Sequence, residues 1–175
     1  MFSRNDINVL IDEETIKIKI KELAKKISED YSGKEPVIIG VLKGATIFLS
    51  DLIRQLDIDC NVDFISVSSY GNATATSGVV KILKDVDMEL VGKDVLIVED
   101  IVDSGLTLNY LKSYIKNKAA SSIKTCVLLD KPARRQVDFK TDYSGFEIED
   151  LFIVGYGLDY QQKFRNLPYI GFINV

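Results

Sequence analysis

Residues 95–108, VLIVEDIVDSGLTL, set three carboxylates and two hydroxyls directly after an apolar run. Four branched apolar residues lead straight into Glu99, Asp100 and Asp103, and Ser104, Gly105 and Thr107 follow. The apolar half has the make-up of a strand buried on both faces. In the polar half, the free amides of a helix start and the Ser and Thr hydroxyls form a ready phosphate site, which Gly105 lets the backbone approach. The carboxylates cannot share that phosphate, so they need ribose hydroxyls or a magnesium ion as partners. The pattern fits a sugar phosphate lying across a strand end. The plainer alternative is an acidic surface turn in which Asp103 or Ser104 caps a helix. That explains Ser104 alone better than it explains three acids in such a place.

Composition narrows the chemistry further. At 175 residues, the chain is expected to form a single domain over 1–175 with a substantial core. It has no histidine, which excludes His-based triads and His-ligated metals and leaves Asp, Glu, Lys and Tyr for proton transfer. Cys60 and Cys126 are single and far apart, so they read as small core residues rather than a disulfide or zinc site. A net charge of −4 with no basic stripe argues against nucleic-acid binding. No run approaches the ~18 apolar residues of a membrane helix, and MFSRNDINVL lacks a signal-peptide core. The expected location is therefore the cytoplasm, away from any membrane.

The elements that must position these residues can be read in outline. Asp12 caps a helix whose Ile16, Ile20, Leu23, Ala24, Ile27 and Tyr31 share one face, and Gly33 ends it. PVIIGVL (36–42), DVLIV (94–98) and IKTCVLL (123–129) read as doubly buried strands. NVDFISVSSY and VVKIL read as further strands, separated by the small, polar, mobile loop GNATATSG (71–78). Residues 44–56 and 104–117 read as helices, the second with Leu106, Tyr110, Leu111 and Tyr114 on its inner face. The alternation predicts an α/β fold around a right-handed parallel sheet, with ligands beyond the carboxyl ends of the strands. A receiver domain, which VLIVED also suggests, fails on position. It would start at that strand and need about 100 residues or more, whereas only 101–175 follow.

VLIVEDIVDSGLTL resembles the phosphoribosyl-diphosphate (PRPP) motif of type I phosphoribosyltransferases. The chain as a whole is similar to the hypoxanthine-guanine branch, particularly bacterial members. VLKGA (41–45), SSYG (68–71), LLDKPARR (128–135) and DLFIVGYGLDYQQKFRNLPYIG (150–171) join the acidic motif in the family's order. The resemblance implies the type I fold: a mostly parallel sheet flanked by helices, with a small hood built from the N- and C-terminal segments. It implies transfer of the 5-phosphoribosyl group from PRPP to hypoxanthine or guanine, yielding IMP or GMP and pyrophosphate. Magnesium is the implied cofactor, and a homodimer or homotetramer the implied assembly.

Carried over residue by residue, Glu99 and Asp100 would hold the ribose hydroxyls, directly or through magnesium. Asp103, Ser104, Gly105, Leu106 and Thr107 would wrap the 5′-phosphate, with Ser104 where many relatives have Thr. Asp103 would act as general acid/base at the purine N7. Leu42, Lys43 and Gly44 would form the pyrophosphate loop, containing in the family a cis peptide at Leu42–Lys43, and Arg165 would pair with pyrophosphate. Lys131 would donate to O6 of a 6-oxopurine and so mismatch adenine's amino group. Phe152 would stack on the base, the Ile153 main chain would meet its N1/N2 edge, and Asp159, counted with the purine-binding residues, would reach a magnesium on the pyrophosphate side, directly or through water. Ser69 and Tyr70 would begin a lid. Taken alone, Lys131 is an ordinary solvated lysine, Phe152 is core packing, and Asp159 and Arg165 are surface charges. Two alternatives remain open: a xanthine-preferring phosphoribosyltransferase, and a PRPP-sensing regulator that binds RNA.

Overall fold

The computed structural model describes residues 2–70 and 79–174. Asp12 starts helix α1 (Glu13–Asp30) as expected, its carboxylate accepting from Thr15 N at 2.8 Å. Gly33 follows the helix at φ 73°, a left-handed conformation suited to glycine. Strand β1 (Asn8–Ile11) precedes α1. Strand β2 (Val37–Leu42), helix α2 (Thr46–Ile53), β3 (Asn61–Tyr70) and β4 (Val79–Lys84) come next. β5 (Asp94–Val102), helix α3 (Leu106–Asn117), β6 (Ser122–Asp130), β7 (Tyr143–Glu147), β8 (Phe152–Val154) and β9 (Ile170–Ile173) complete the order.

Among the described residues, six strands form a sheet in the order β4-β3-β2-β5-β6-β7. It is parallel throughout except for the antiparallel edge strand β4. The apolar runs of β2, β5 and β6 lie at its centre, covered on both faces. Ile38, Leu96, Cys126 and Leu128 point into the core under α1 and α2, while Val37, Ile39, Val95, Ile97 and Val127 point into the core under α3. This is the period-two alternation of a strand with helices on both sides. A second, antiparallel sheet, β1-β9-β8, joins the N- and C-terminal segments as the hood.

Three expectations need correction. β5 does not stop at the acids but continues to Val102, so Glu99 and Asp100 are strand residues. Both later helices are shorter than expected, since α2 covers Thr46–Ile53 and α3 begins only at Leu106. The inner face of α3 is Leu108, Leu111 and Ile115; Tyr110 is exposed and stacks on Tyr114, whose hydroxyl donates to Asp85 at 2.7 Å. Tyrosine rings serve a helix flank well because one end is apolar and the other seeks a polar partner. Ser69 and Tyr70 end β3, and the expected loop 71–78 lies outside the described residues. No helix among the described residues is long and apolar enough to cross a membrane.

Candidate active site

The acidic end of β5 lies in the middle of the sheet, between the loops that follow β2 and β6. Asp100 is buried directly beneath the turn after β2. A Cβ on Gly44 would lie 1.7 Å from Asp100 Oδ2, so the loop can sit there only with glycine at that position. Asp100 Oδ1 accepts from the Ile101 amide at 2.8 Å. Glu99 Oε2 is buried without a hydrogen-bond partner. Burial, with the Asp100 charge beside it, pushes the Glu99 pKa well above the usual carboxylate range. Burial raises that of Asp100 as well, against the opposing pull of its hydrogen bonds. Neither acid is held by an ion pair among the described residues, so both retain acceptor capacity for a ligand.

A cavity of about 130 Å³ opens here, lined by Glu99 to Gly105 with Thr107 and Leu108. Gly105 is the residue before α3, at φ 81°, and no side chain caps the helix. Ser104 Oγ accepts from Leu106 N at 3.3 Å. The helix start therefore offers amides and the Ser104 and Thr107 hydroxyls to an anion, as the spacing suggests.

On the β2 side, the Leu42–Lys43 peptide is cis and Lys43 is exposed. The loop after β8 packs against this turn, for a Cβ on Gly157 would lie 2.1 Å from Gly44 O. Arg165 donates to Gly157 O at 2.7 Å and pairs with Asp159 at 2.5 Å. Gln162 ties the group together: its amide donates to Asp159 at 2.7 Å, and its side-chain oxygen accepts from Lys43 and Arg165, both at 3.4 Å. Lys43, Asp159 and Arg165 thus share one network. Among the described residues, no group of three or more His, Cys, Asp or Glu side chains is placed to hold a metal ion.

A second cavity, of about 530 Å³, lies on the other side of Ile101 and Asp103, which line both. Lys131, Arg134, Asp150, Leu151, Phe152, Ile153 and Leu158 form much of its wall, and Ile173 and Asn174 close it from the hood. Lys131 is not a solvated lysine. It is 5% exposed, its Nζ donates to Leu151 O at 2.5 Å, and burial lowers its pKa from the usual lysine value. Nor is Phe152 a core residue. It is 44% exposed, lines this cavity, and its ring stands at a steep angle to that of Tyr160, 5.6 Å away. Ile153 is buried in the β8–β9 ladder. Arg134 Nε lies 3.2 Å from Asp103 Oδ1, and Arg134 Nη1 lies 3.3 Å from Asp150 Oδ1.

The phosphoribosyl transferase domain model matches residues 8–161, most of the chain. The chain belongs to that family. This phosphoribosyltransferase is 53% identical to the hypoxanthine-guanine phosphoribosyltransferase of Bacillus subtilis over 96% of its own length and 94% of that protein's. The crystal structure of a hypoxanthine-guanine phosphoribosyltransferase from Bacillus anthracis, with HEPES in its active site, superposes with a TM-score of 0.92 at 52% identity. That match covers 95% of this chain and 98% of the other. A hypoxanthine phosphoribosyltransferase from Staphylococcus aureus gives a TM-score of 0.94 at 44% identity, over 97% and 93% of the two chains.

Sequence reasoning missed several residues of this phosphoribosyltransferase site: Ile101, Arg134, Asp150, Leu158 and Gln162. Ile101 lies in the part of β5 beyond the acids, a length the apolar run alone does not disclose. The others arrive from loops whose proximity only the fold creates.

Proposed function

We propose that the chain, acting as one domain, is a purine-salvage enzyme of the 6-oxopurine class. It transfers the 5-phosphoribosyl group of PRPP to hypoxanthine or guanine, giving IMP or GMP and pyrophosphate. The observation that carries this reading is the pair of cavities sharing Ile101 and Asp103 as a wall. One suits a phosphoribosyl group and the other a planar base, and the reacting atoms would meet between them.

Each residue then has a physical role. The start of α3 and the hydroxyls of Ser104 and Thr107 bind the 5′-phosphate. Glu99 and Asp100 accept from the ribose hydroxyls. They also fit magnesium: their oxygens are hard donors, one is buried without a partner, and this ion takes one or two carboxylates plus substrate oxygens and water. Bound magnesium would neutralise charge on the diphosphate. Lys43 and Arg165, linked through Gln162, meet the departing pyrophosphate, the guanidinium being suited to phosphate oxygens. Asp159, paired with Arg165, lies at the edge of that group.

On the base side, Phe152 stacks, the Ile153 main chain lies at the N1/N2 edge and the Lys131 ammonium donates to O6. Adenine would present an amino group to that ammonium and leave buried donors unpaired. Asp103 accepts or returns the N7 proton as the bond from ribose C1 to purine nitrogen forms and the bond to pyrophosphate breaks. Ser69 and Tyr70 begin the lid over this centre. A cytoplasmic setting and self-association as a dimer or tetramer belong to the same reading.

The test is a magnesium-dependent assay with PRPP and each of hypoxanthine, guanine, xanthine and adenine, following nucleotide and pyrophosphate together. Turnover of hypoxanthine and guanine with adenine excluded is the expected result. PRPP binding without turnover of any base would contradict the reading.

A further inference from the structure

The segment that delivers Lys131 to the base cavity also grips the phosphoribosyl loop from outside. Three consecutive carbonyls of that loop accept hydrogen bonds from it. Val102 O accepts from Lys131 N at 2.9 Å, Asp103 O from Arg135 Nη1 at 2.7 Å, and Ser104 O from Gln136 N at 2.9 Å. Only the middle one depends on a side chain. Arg135 is well anchored to make it, because its other arm pairs with Asp130 at 2.5 Å and the two side chains are 16% and 17% exposed. Asp130 is the last residue of β6, so the guanidinium spans from the rigid sheet to the backbone of Asp103. The stem of Arg135 also abuts the turn, since a Cβ on Gly105 would lie 3.0 Å from Arg135 Cδ. Its neighbour Arg134 contacts the Asp103 carboxylate from the base side at 3.2 Å. Asp103 is therefore held at its main chain by one arginine, while the next stands 3.2 Å from its carboxylate without hydrogen-bonding it.

These contacts differ in quality. Arg134 is half exposed, and exposed ion pairs contribute little. Arg135 makes charge-assisted hydrogen bonds to fixed acceptors from a planar, pre-organised donor set, which fixes geometry as well as contributing energy. We propose that Arg135 is a positioning residue for Asp103: it fixes the backbone from which the carboxylate reaches the bond-making point. The proposal rests on the reading of Asp103 as the group that handles the purine proton. Catalysis is sensitive to such placement, and an error of about 1 Å can cost about 10²-fold in rate.

The test is a double-mutant cycle on the full enzyme with magnesium and saturating PRPP. Arg135→Met should lower kcat about 10- to 100-fold in the parent and have little further effect in an Asp103→Asn background. Equal losses in both backgrounds would mean that Arg135 serves only the loop's general integrity, and would overturn the proposal. So would an unchanged kcat for Arg135→Met in the parent. If Asp103→Asn alone leaves kcat unchanged, the reading of Asp103 itself fails, an outcome visible before Arg135 is touched. Removing Arg135 leaves Asp130 unpaired, so Asp130→Asn/Arg135→Met, checked for an unchanged melting temperature, runs the same cycle without that penalty.

Discussion

The two cavities that meet at Asp103 are built in opposite ways. The phosphoribosyl side comes almost whole from one run of chain, Glu99 to Leu108. Glu99 and Asp100 form no ion pair among the described residues, and Glu99 Oε2 is buried without a hydrogen-bond partner. The base side is assembled from β5, the loop after β6, the β8 region and the hood. There the charges are already matched: Lys131 and Arg134 both lie near Asp150, and Arg134 also contacts Asp103. The difference tracks the ligands. A polyanionic sugar phosphate with its cation needs unsatisfied acceptors and donors, whereas a neutral base needs an apolar slot with a few fixed polar groups.

The largest way to break this contrast is at Gly44. Gly44→Ala would drive a Cβ into the Asp100 carboxylate, 1.7 Å from Oδ2, and displace the acid that the phosphoribosyl side depends on. The expected loss in kcat/KM for PRPP exceeds about 10²-fold, measured by steady-state kinetics, with the melting temperature followed alongside. Lys131→Gln acts on the other cavity. Loss of a buried charged donor should cut the preference for hypoxanthine over adenine about 10- to 100-fold while PRPP affinity is unchanged, as competition assays would show.

Glu99→Gln gives the smallest effect, with opposite signs for stability and function. A carboxyl with a raised folded pKa binds its proton more tightly folded than unfolded. The folded state therefore loses stability as pH rises from the ordinary carboxyl range through the raised value. Removing that group should raise the ligand-free melting temperature at pH 8 by about 2–4 °C per kcal/mol recovered, with no gain at pH 4, while weakening PRPP binding. Calorimetry at the two pH values checks the sign.

The same contrast explains what the sequence disclosed. β2, β5 and β6 are apolar runs buried on both faces, and α1 has a strong cap and one clean stripe, so all were legible from composition and period. β1, β7, β8 and β9 are only three to five residues long and gain their identity from partners far along the chain. On α3, Leu111 and the partly buried Tyr114 pack toward the core as the spacing suggests, whereas Tyr110 lies exposed and stacks on Tyr114. Likewise the phosphoribosyl side was readable as one motif. The base side was readable only through the resemblance, and Arg134 and Asp150 there, like Gln162 beside Lys43, fall within the resembling segments without any local pattern that marks a role.

The most direct test of a reaction centred where the cavities meet is Asp103→Asn, with kcat and PRPP affinity measured on the same preparation. The expected result is a fall in kcat of about 10²–10⁴-fold with PRPP binding essentially unchanged. An unaltered kcat, or a loss confined to PRPP affinity, would contradict a proton-handling Asp103 at the meeting point of the two cavities.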